Sequence, residues 1–181
     1  MPARLVLHDL PDLSGNQTEN LIKSLLEKLF PWDGGVYTLF PADPPVRPCV
    51  GCFGCWVATP GKCVIDDRGS ALAPLISKHD ELIVIGRLLF GGFSPDVKAL
   101  LDRSIGSILP FFRIVNGETH HEKRCKNPLS LRYIFYGPDI SEFEKGIARR
   151  LAAANACNFG AETYTSSFCF YPSADAIGVT S

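Results

Sequence analysis

Glu81–Arg103 reads ELIVIGRLLFGGFSPDVKALLDR, and its three parts decide the fold. Glu81–Gly86 (ELIVIG) is a near-continuous apolar run, as a central parallel strand covered on both faces requires. Gly91-Gly92 predicts a loop. Ser94-Pro95 then opens a helix as cap plus first-turn proline, with Val97, Leu100, Leu101, Ile105 and Ile108 as its buried stripe.

The flanking sequence repeats this unit. Arg4–Asp9 (RLVLHD) predicts a short buried strand, followed by a polar loop over Pro11–Gln17. Thr18–Phe30 carries Leu21, Ile22, Leu25, Leu26, Leu29 and Phe30 at helical spacing. Ser14 with Gln17 fits a capping box, Asn16 is a rival cap, and Pro31 stops the helix. Gly34–Phe40 is a second strand. A short helix with Ser70 as cap and Leu72, Leu75 and Ile76 inward precedes the central strand. Downstream, Leu131–Tyr136 is a strand. Ser141 and Glu144 form a capping box for a helix that turns Phe143, Ile147 and Leu151 inward and ends near Asn158 and Gly160. Glu162–Phe170 is the last strand, with Tyr164, Ser166, Phe168 and Phe170 on one face.

Five strands alternating with helices imply a doubly wound parallel sheet with helices on both faces. Such a sheet holds its ligand at the carboxyl ends of its strands, beside the switch point. Asp9–Gln17, Gly86–Ser94 and Tyr136–Asp139 occupy that edge. Residues 1–181 are expected to form one domain. Within it lie a Cys-rich insertion loop over 41–67, a lid or dimer arm over 109–129 and a tail over 171–181. His120-His121 reads as a solvated surface run.

At 181 residues with 46% apolar content, the chain can bury a real core. A net charge of −1 gives no basic footprint for nucleic acid. No apolar run reaches the roughly 20 residues that would cross a bilayer, and no secretory leader pattern is present, so a cytoplasmic location is expected. The seven cysteines then favour metal or redox use over a disulfide framework. Cys49, Cys52 and Cys55 are spaced C-x₂-C-x₂-C, with Cys63 eight positions on. Four such thiols suit an iron-sulfur cluster or zinc, Cys52 and Cys55 alone would make a redox dithiol, and all four could simply pack the loop.

These segments together resemble the NAD(P)H-dependent FMN reductase and iron-sulfur flavoprotein branch of the flavodoxin-like superfamily. The resemblance runs from about Arg4 to about Phe170. Its most specific part is Cys49–Asp67, CVGCFGCWVATPGKCVIDD, which is similar to the family's C-x-G-C-x-x-C stretch with a further Cys and an Asp-Asp pair. Gly86–Arg103 is similar to its strand, flavin loop and following helix. Ser14-Gly15-Asn16-Gln17-Thr18 resembles its phosphate-binding turn. The first loop departs from the pattern in carrying Asp9, Pro11 and Asp12, with Gln17 between Asn16 and Thr18. The second has Arg87-Leu88 where Ser-Pro is usual.

The resemblance implies an FMN-dependent oxidoreductase in which the flavin carries the chemistry, so no catalytic side-chain set is expected. It implies FMN contacts from Pro11, Ser14, Gly15, Asn16, Gln17 and Thr18, from Arg87, Leu88, Leu89, Phe90, Gly91 and Gly92, and from Tyr136 and Gly137. It implies NAD(P)H as reductant, a small-molecule electron acceptor, a homodimer, and a [4Fe-4S] cluster as one use of Cys49, Cys52, Cys55 and Cys63. Helix N-termini hold phosphate through free N–H groups and a partial positive charge, and Gly15 would allow close approach. Asp9 and Asp12 would repel that phosphate if turned inward, whereas Arg87 would attract it. The alternatives are an iron-sulfur and flavin electron carrier without enzymatic turnover, and a degenerate scaffold that has lost FMN.

Overall fold

The computed structural model describes residues 2–12, 16–30, 35–170 and 179–180. Its main strands are β1 (Arg4–His8), β2 (Tyr37–Pro41), β3 (Glu81–Leu89), β7 (Ser130–Gly137) and β8 (Thr163–Phe170). They form a parallel sheet in the order β2-β1-β3-β7-β8. The order reverses between β1 and β3, which is the predicted switch point. β9 (Val179–Thr180) adds antiparallel to β8, so part of the stretch read as a tail joins the sheet.

Helix α1 (Gln17–Leu29) packs Leu21, Ile22, Leu25 and Leu26 on one face, against Val6, Ile83, Ile85 and Ile134. Helices α3 (Leu72–Ile76), α4 (Pro95–Arg103) and α5 (Glu142–Phe159) cover the other, over Leu5, Leu7, Val84, Tyr133, Phe135 and Phe168. Each fully buried Leu, Ile or Val here contributes about 1.5–3 kcal/mol. The amino end of the sheet is tied by ions: Glu81 on β3 accepts from Arg4 of β1 at 2.8 Å and also from Arg132 of β7. α2 (Gly54–Val57) is a single turn inside the cysteine segment.

The predicted caps of two helices are in place. Ser94 accepts from the Val97 N–H, and Ser141 and Glu144 close a reciprocal capping box. Gly160 ends α5 with φ 61, a conformation that glycine adopts without cost.

Four local expectations need correction. First, Asp67 rather than Ser70 caps the turn before α3: its carboxylate accepts from the Gly69 N–H, and 68–71 wind as a 3₁₀ turn. Second, α4 stops at Arg103, so Ile105 lies in a 3₁₀ turn and Ile108 starts a strand. Third, the long connection over 109–129 is not a loop. It contains a hairpin of β5 (Ile108–Val115) and β6 (Glu118–Lys123), turned by Asn116 and Gly117 at φ 52 and 83. Fourth, Phe143 points outward and Lys145, Ala148, Ala152 and Ala156 form the buried stripe of α5, because close packing on the sheet favours small residues there. Tyr164, Ser166, Phe168 and Phe170 share one face of β8, and of the four only Phe168 is buried.

Candidate functional site

The carboxyl ends of β1, β3 and β7 converge at the edge named from sequence. Asp9 follows β1 directly, and its two carboxylate oxygens each accept from the Arg87 backbone N–H at 3.1 Å. The Ser94 hydroxyl donates to the same carboxylate. From β7, the Tyr136 hydroxyl donates to the Asp9 carbonyl at 3.2 Å. One residue therefore joins two strands and the start of α4. The last residue of β1, His8, is buried, and desolvation lowers its pKa against the opposing pull of Asp9.

The segment expected as a flavin loop is a tight hairpin. β3 continues to Leu89, and Leu88 and Leu89 pair with Phe93 and Gly92 of β4 (Gly92–Phe93). Phe90 and Gly91 make the turn, with φ of 53 and 80. Phe90 is 93% exposed at the tip. A Cβ on Gly91 would lie 2.6 Å from Ile147, so this glycine is needed for packing against α5. A Cβ on Gly92 would meet nothing closer than 3.7 Å, so its backbone is the more approachable.

At the start of α1, Asn16 holds the cap position but makes no side-chain bond to the first turn. The Thr18 hydroxyl donates to the Pro11 carbonyl at 3.0 Å, tying the loop to the helix. Ser14 and Gly15 lie outside the described residues, as does the Ser14–Gln17 capping box. Of the expected cofactor contacts, the structure brings the exposed Pro11, Asn16, Gln17, Arg87 and Phe90 to the same sheet edge as Tyr136 and Gly137.

The cysteine segment lies beside α4. Cys49, Cys52, Cys55 and Cys63 all line one cleft of about 40 Å³ together with Phe53, Trp56 and Arg103. Cys55 is buried, and burial followed by the sulfurs of Cys63, Cys49 and Cys52 pushes its pKa up. Among the described residues, no three Cys, His, Asp or Glu side chains sit at metal-binding separation. The thiols share a cleft without being drawn together. Cys125, Cys157 and Cys169 are scattered, and burial alone raises Cys169 to about 11.

Arg103 organises this segment. It is 1% exposed and donates to the Asp67 carboxylate at 2.7 and 2.9 Å, to the Arg47 carbonyl at 2.7 Å, to the Ile65 carbonyl at 3.2 Å and to Cys63 Sγ at 3.2 Å. The Arg103 bond holds Asp67 at about 2, against a smaller opposing effect of burial. Sequence reading did not single out this pair. Arg103 reads locally as an ordinary cation at a helix end, and its partners lie 36 to 56 positions away.

The two histidines also differ from expectation. His120 bonds Asn158 at 2.9 Å. His121 lies against Trp56 and Phe112, its ring tilted to both, with centroids 4.9 and 4.7 Å away. The hairpin folds their strand back against the cysteine segment and α5, so this is no solvated run.

No family model matches the chain. An iron-sulfur flavoprotein of Methanocaldococcus jannaschii is 36% identical over 63 residues, which are 35% of this chain and 32% of that protein's length. Among solved structures, an NAD(P)H:quinone oxidoreductase from Methanothermobacter marburgensis superposes with a TM-score of 0.64 at 13% identity, covering 93% of this chain and 86% of that one. An azoreductase from Bacillus anthracis gives 0.57 at 13% identity over 94% and 87%. An FMN-dependent NADH-azoreductase from the same organism, solved with FMN, gives 0.55 at 12% identity over 94% and 87%.

The chain has the flavodoxin-like fold.

In a flavodoxin-like sheet the ligand-holding edge is built from the loops after the first, third and fourth parallel strands, here β1, β3 and β7. Those are the loops that Asp9 connects. The α1 N-terminus, without a side-chain cap bond, offers a phosphate what it needs, while the Arg87 N–H is already bonded to Asp9 and Gly92 is paired with Leu89. The residues present therefore fit the phosphate end of FMN, with the Asp9 carboxylate at the same sheet edge. No helix among the described residues is long and apolar enough to cross a membrane.

Proposed function

We propose that this chain is an FMN-dependent oxidoreductase that takes electrons from NAD(P)H and delivers them to a small-molecule acceptor. The observation that carries this reading is the strand-end edge, which brings together an α1 N-terminus without a side-chain cap bond, the turn after β3 and the end of β7 at Tyr136. The likeness to quinone and azo reductases across more than nine-tenths of the chain supports it.

Bound FMN would supply the redox chemistry, accepting a hydride equivalent from reduced nicotinamide and passing electrons onward. The protein's part is to bind and orient. Asn16, Gln17 and Thr18 at the helix start would hold the phosphate, together with Pro11, Ser14 and Gly15 of the loop. Arg87–Gly92 would flank the ring, with Phe90 free to lie across it, and Tyr136-Gly137 would bound its far side. Arg87 is exposed and would offset the charge of Asp9 and Asp12. The exposed Phe111, Phe112 and Ile114 of the hairpin are where a second copy would dock in a homodimer. A cytoplasmic location, where NAD(P)H is supplied, goes with this proposal.

A second reading adds an iron-sulfur cluster, making the chain an electron carrier. The shared cleft of Cys49, Cys52, Cys55 and Cys63 favours it, as does the short match to an iron-sulfur flavoprotein. Four thiols without a carboxylate suit iron-sulfur ligation, and Arg103 would hydrogen-bond the Cys63 sulfur.

Titrating FMN into the protein under reducing, anaerobic conditions tests the first reading. Saturable quenching of flavin fluorescence, then bleaching of the yellow band by NADH or NADPH, is expected. A protein that leaves FMN fluorescence unchanged would remove the enzyme assignment. Acid-labile sulfide in freshly prepared anaerobic protein, lost in Cys55→Ser, is expected from the second reading, and its absence would remove the cluster.

A further inference from the structure

A cavity of about 750 Å³ lies away from the strand-end edge. It lies between α4, α5 and the β5–β6 hairpin, and apart from Gly92 none of the proposed FMN contacts lines it. Its volume is within the range of small-molecule sites. The walls are mostly apolar, with Leu101 and Ile105 on one side and Leu151 and Phe159 on the other.

Two polar atoms in this lining have no hydrogen-bond partner although they are withdrawn from water: Ser107 Oγ and His121 Nδ1. Ser107 is 9% exposed and also borders a smaller cleft. His121 is held by contacts with the Trp56 and Phe112 rings, and Trp56 is itself anchored through Nε1 to the Ile108 carbonyl at 3.0 Å. A buried donor or acceptor without a partner costs about 1–3 kcal/mol. Two in one cavity wall mark a place where a ligand would restore the missing bonds. The charges at the mouth cancel, because Lys98 is paired with Asp102.

We infer that this cavity is a second small-molecule site, for a neutral and largely apolar aromatic compound carrying a hydroxyl or carbonyl group. The apolar walls take the ring. Ser107 donates or accepts at its polar group, and His121 offers one donor and one acceptor in its neutral form. A charged ligand is disfavoured, since Lys98 and Asp102 neutralise each other. Cys49, Gly51 and Ile105 line both this cavity and the cysteine cleft, so the ligand would sit next to the thiols.

The probe is 2-naphthol, titrated by calorimetry into the full chain both without and with saturating FMN. One site per chain is expected in both states, so failure of FMN binding leaves this test intact. In a Trp32→Phe background the ligand quenches Trp56. Ser107→Ala and His121→Phe each weaken binding about fivefold or more, the loss of one hydrogen bond. Leu101→Trp, which fills the cavity, abolishes binding while leaving the unfolding midpoint close to that of the parent. Three results would overturn the proposal: no saturable heat, equal affinity in parent, Ser107→Ala and His121→Phe, or a stable dimer that Leu101→Trp dissociates and 2-naphthol does not.

Discussion

Asp9 and Arg103 do similar jobs with opposite charges and different degrees of closure. Each is one side chain that fastens several distant segments. Arg103 is enclosed, and its guanidinium is matched by a carboxylate, two carbonyls and a sulfur. Asp9 sits at a partly open edge and fastens a backbone N–H and a hydroxyl, with no cation among its hydrogen-bond partners in the described residues. The cysteine segment is thus locked by a complete polar network. The strand-end edge is held by an anion that a phosphate-bearing ligand would have to tolerate or displace.

The sharpest way to break this contrast is Arg103→Ala. It strands the Asp67 carboxylate and should cost about 3–5 kcal/mol in urea unfolding, with the cysteine segment losing protection from proteolysis first. A loss under 1 kcal/mol would show that the network is decorative. Asp67 gives the same contrast a pH signature. Its pKa in the folded protein is about 2, below the ordinary 3.8, so its contribution is complete above 3.8 and fades as pH falls toward 2. The Tm gap between the parent and Asp67→Asn should be constant from neutral pH to 4 and close below it.

Asp9→Asn should be milder for stability, about 1–2 kcal/mol, because the edge is partly wet. It should also tighten FMN binding by removing a charge that opposes the phosphate, read by fluorescence titration. Weaker FMN binding would mean that the carboxylate organises the site rather than guarding it. Ser94→Ala removes both a helix cap and a bond to Asp9 and should cost about 1 kcal/mol in thermal unfolding. Tyr136→Phe, losing one hydroxyl on the Asp9 carbonyl, should cost the least, about 0.5–1 kcal/mol.

The sheet was legible because its signals are local. ELIVIG is buried at every position, and Ser94-Pro95, Ser141 with Glu144 and Gly160 act within one turn of where they stand. The hairpin over 108–123 was not legible although Asn116-Gly117 is a strong turn signal, because its strands do not alternate cleanly between buried and exposed positions. Phe143 was misplaced because hydrophobicity alone assigned it inward, while the sheet surface had room only for Ala148, Ala152 and Ala156. At the candidate site, the three edge loops could be named in advance, but not the bond from Asp9 to Arg87, which spans 78 positions. That the four cysteines line one cleft follows from their spacing, whereas the contacts of Arg103 with that segment required the tertiary fold.

The pairing of Val179 and Thr180 with Cys169 and Phe168 bears on how copies of this chain can meet. An open parallel sheet ends in two rows of unsatisfied amides, each a template on which another chain can stack. Here the β8 border is partly sealed by the protein's own backbone, running in the opposite direction, and β2 closes at Pro41, which has no amide hydrogen to offer. Growth by adding strands is thereby discouraged at both margins, which leaves association to side-chain surfaces.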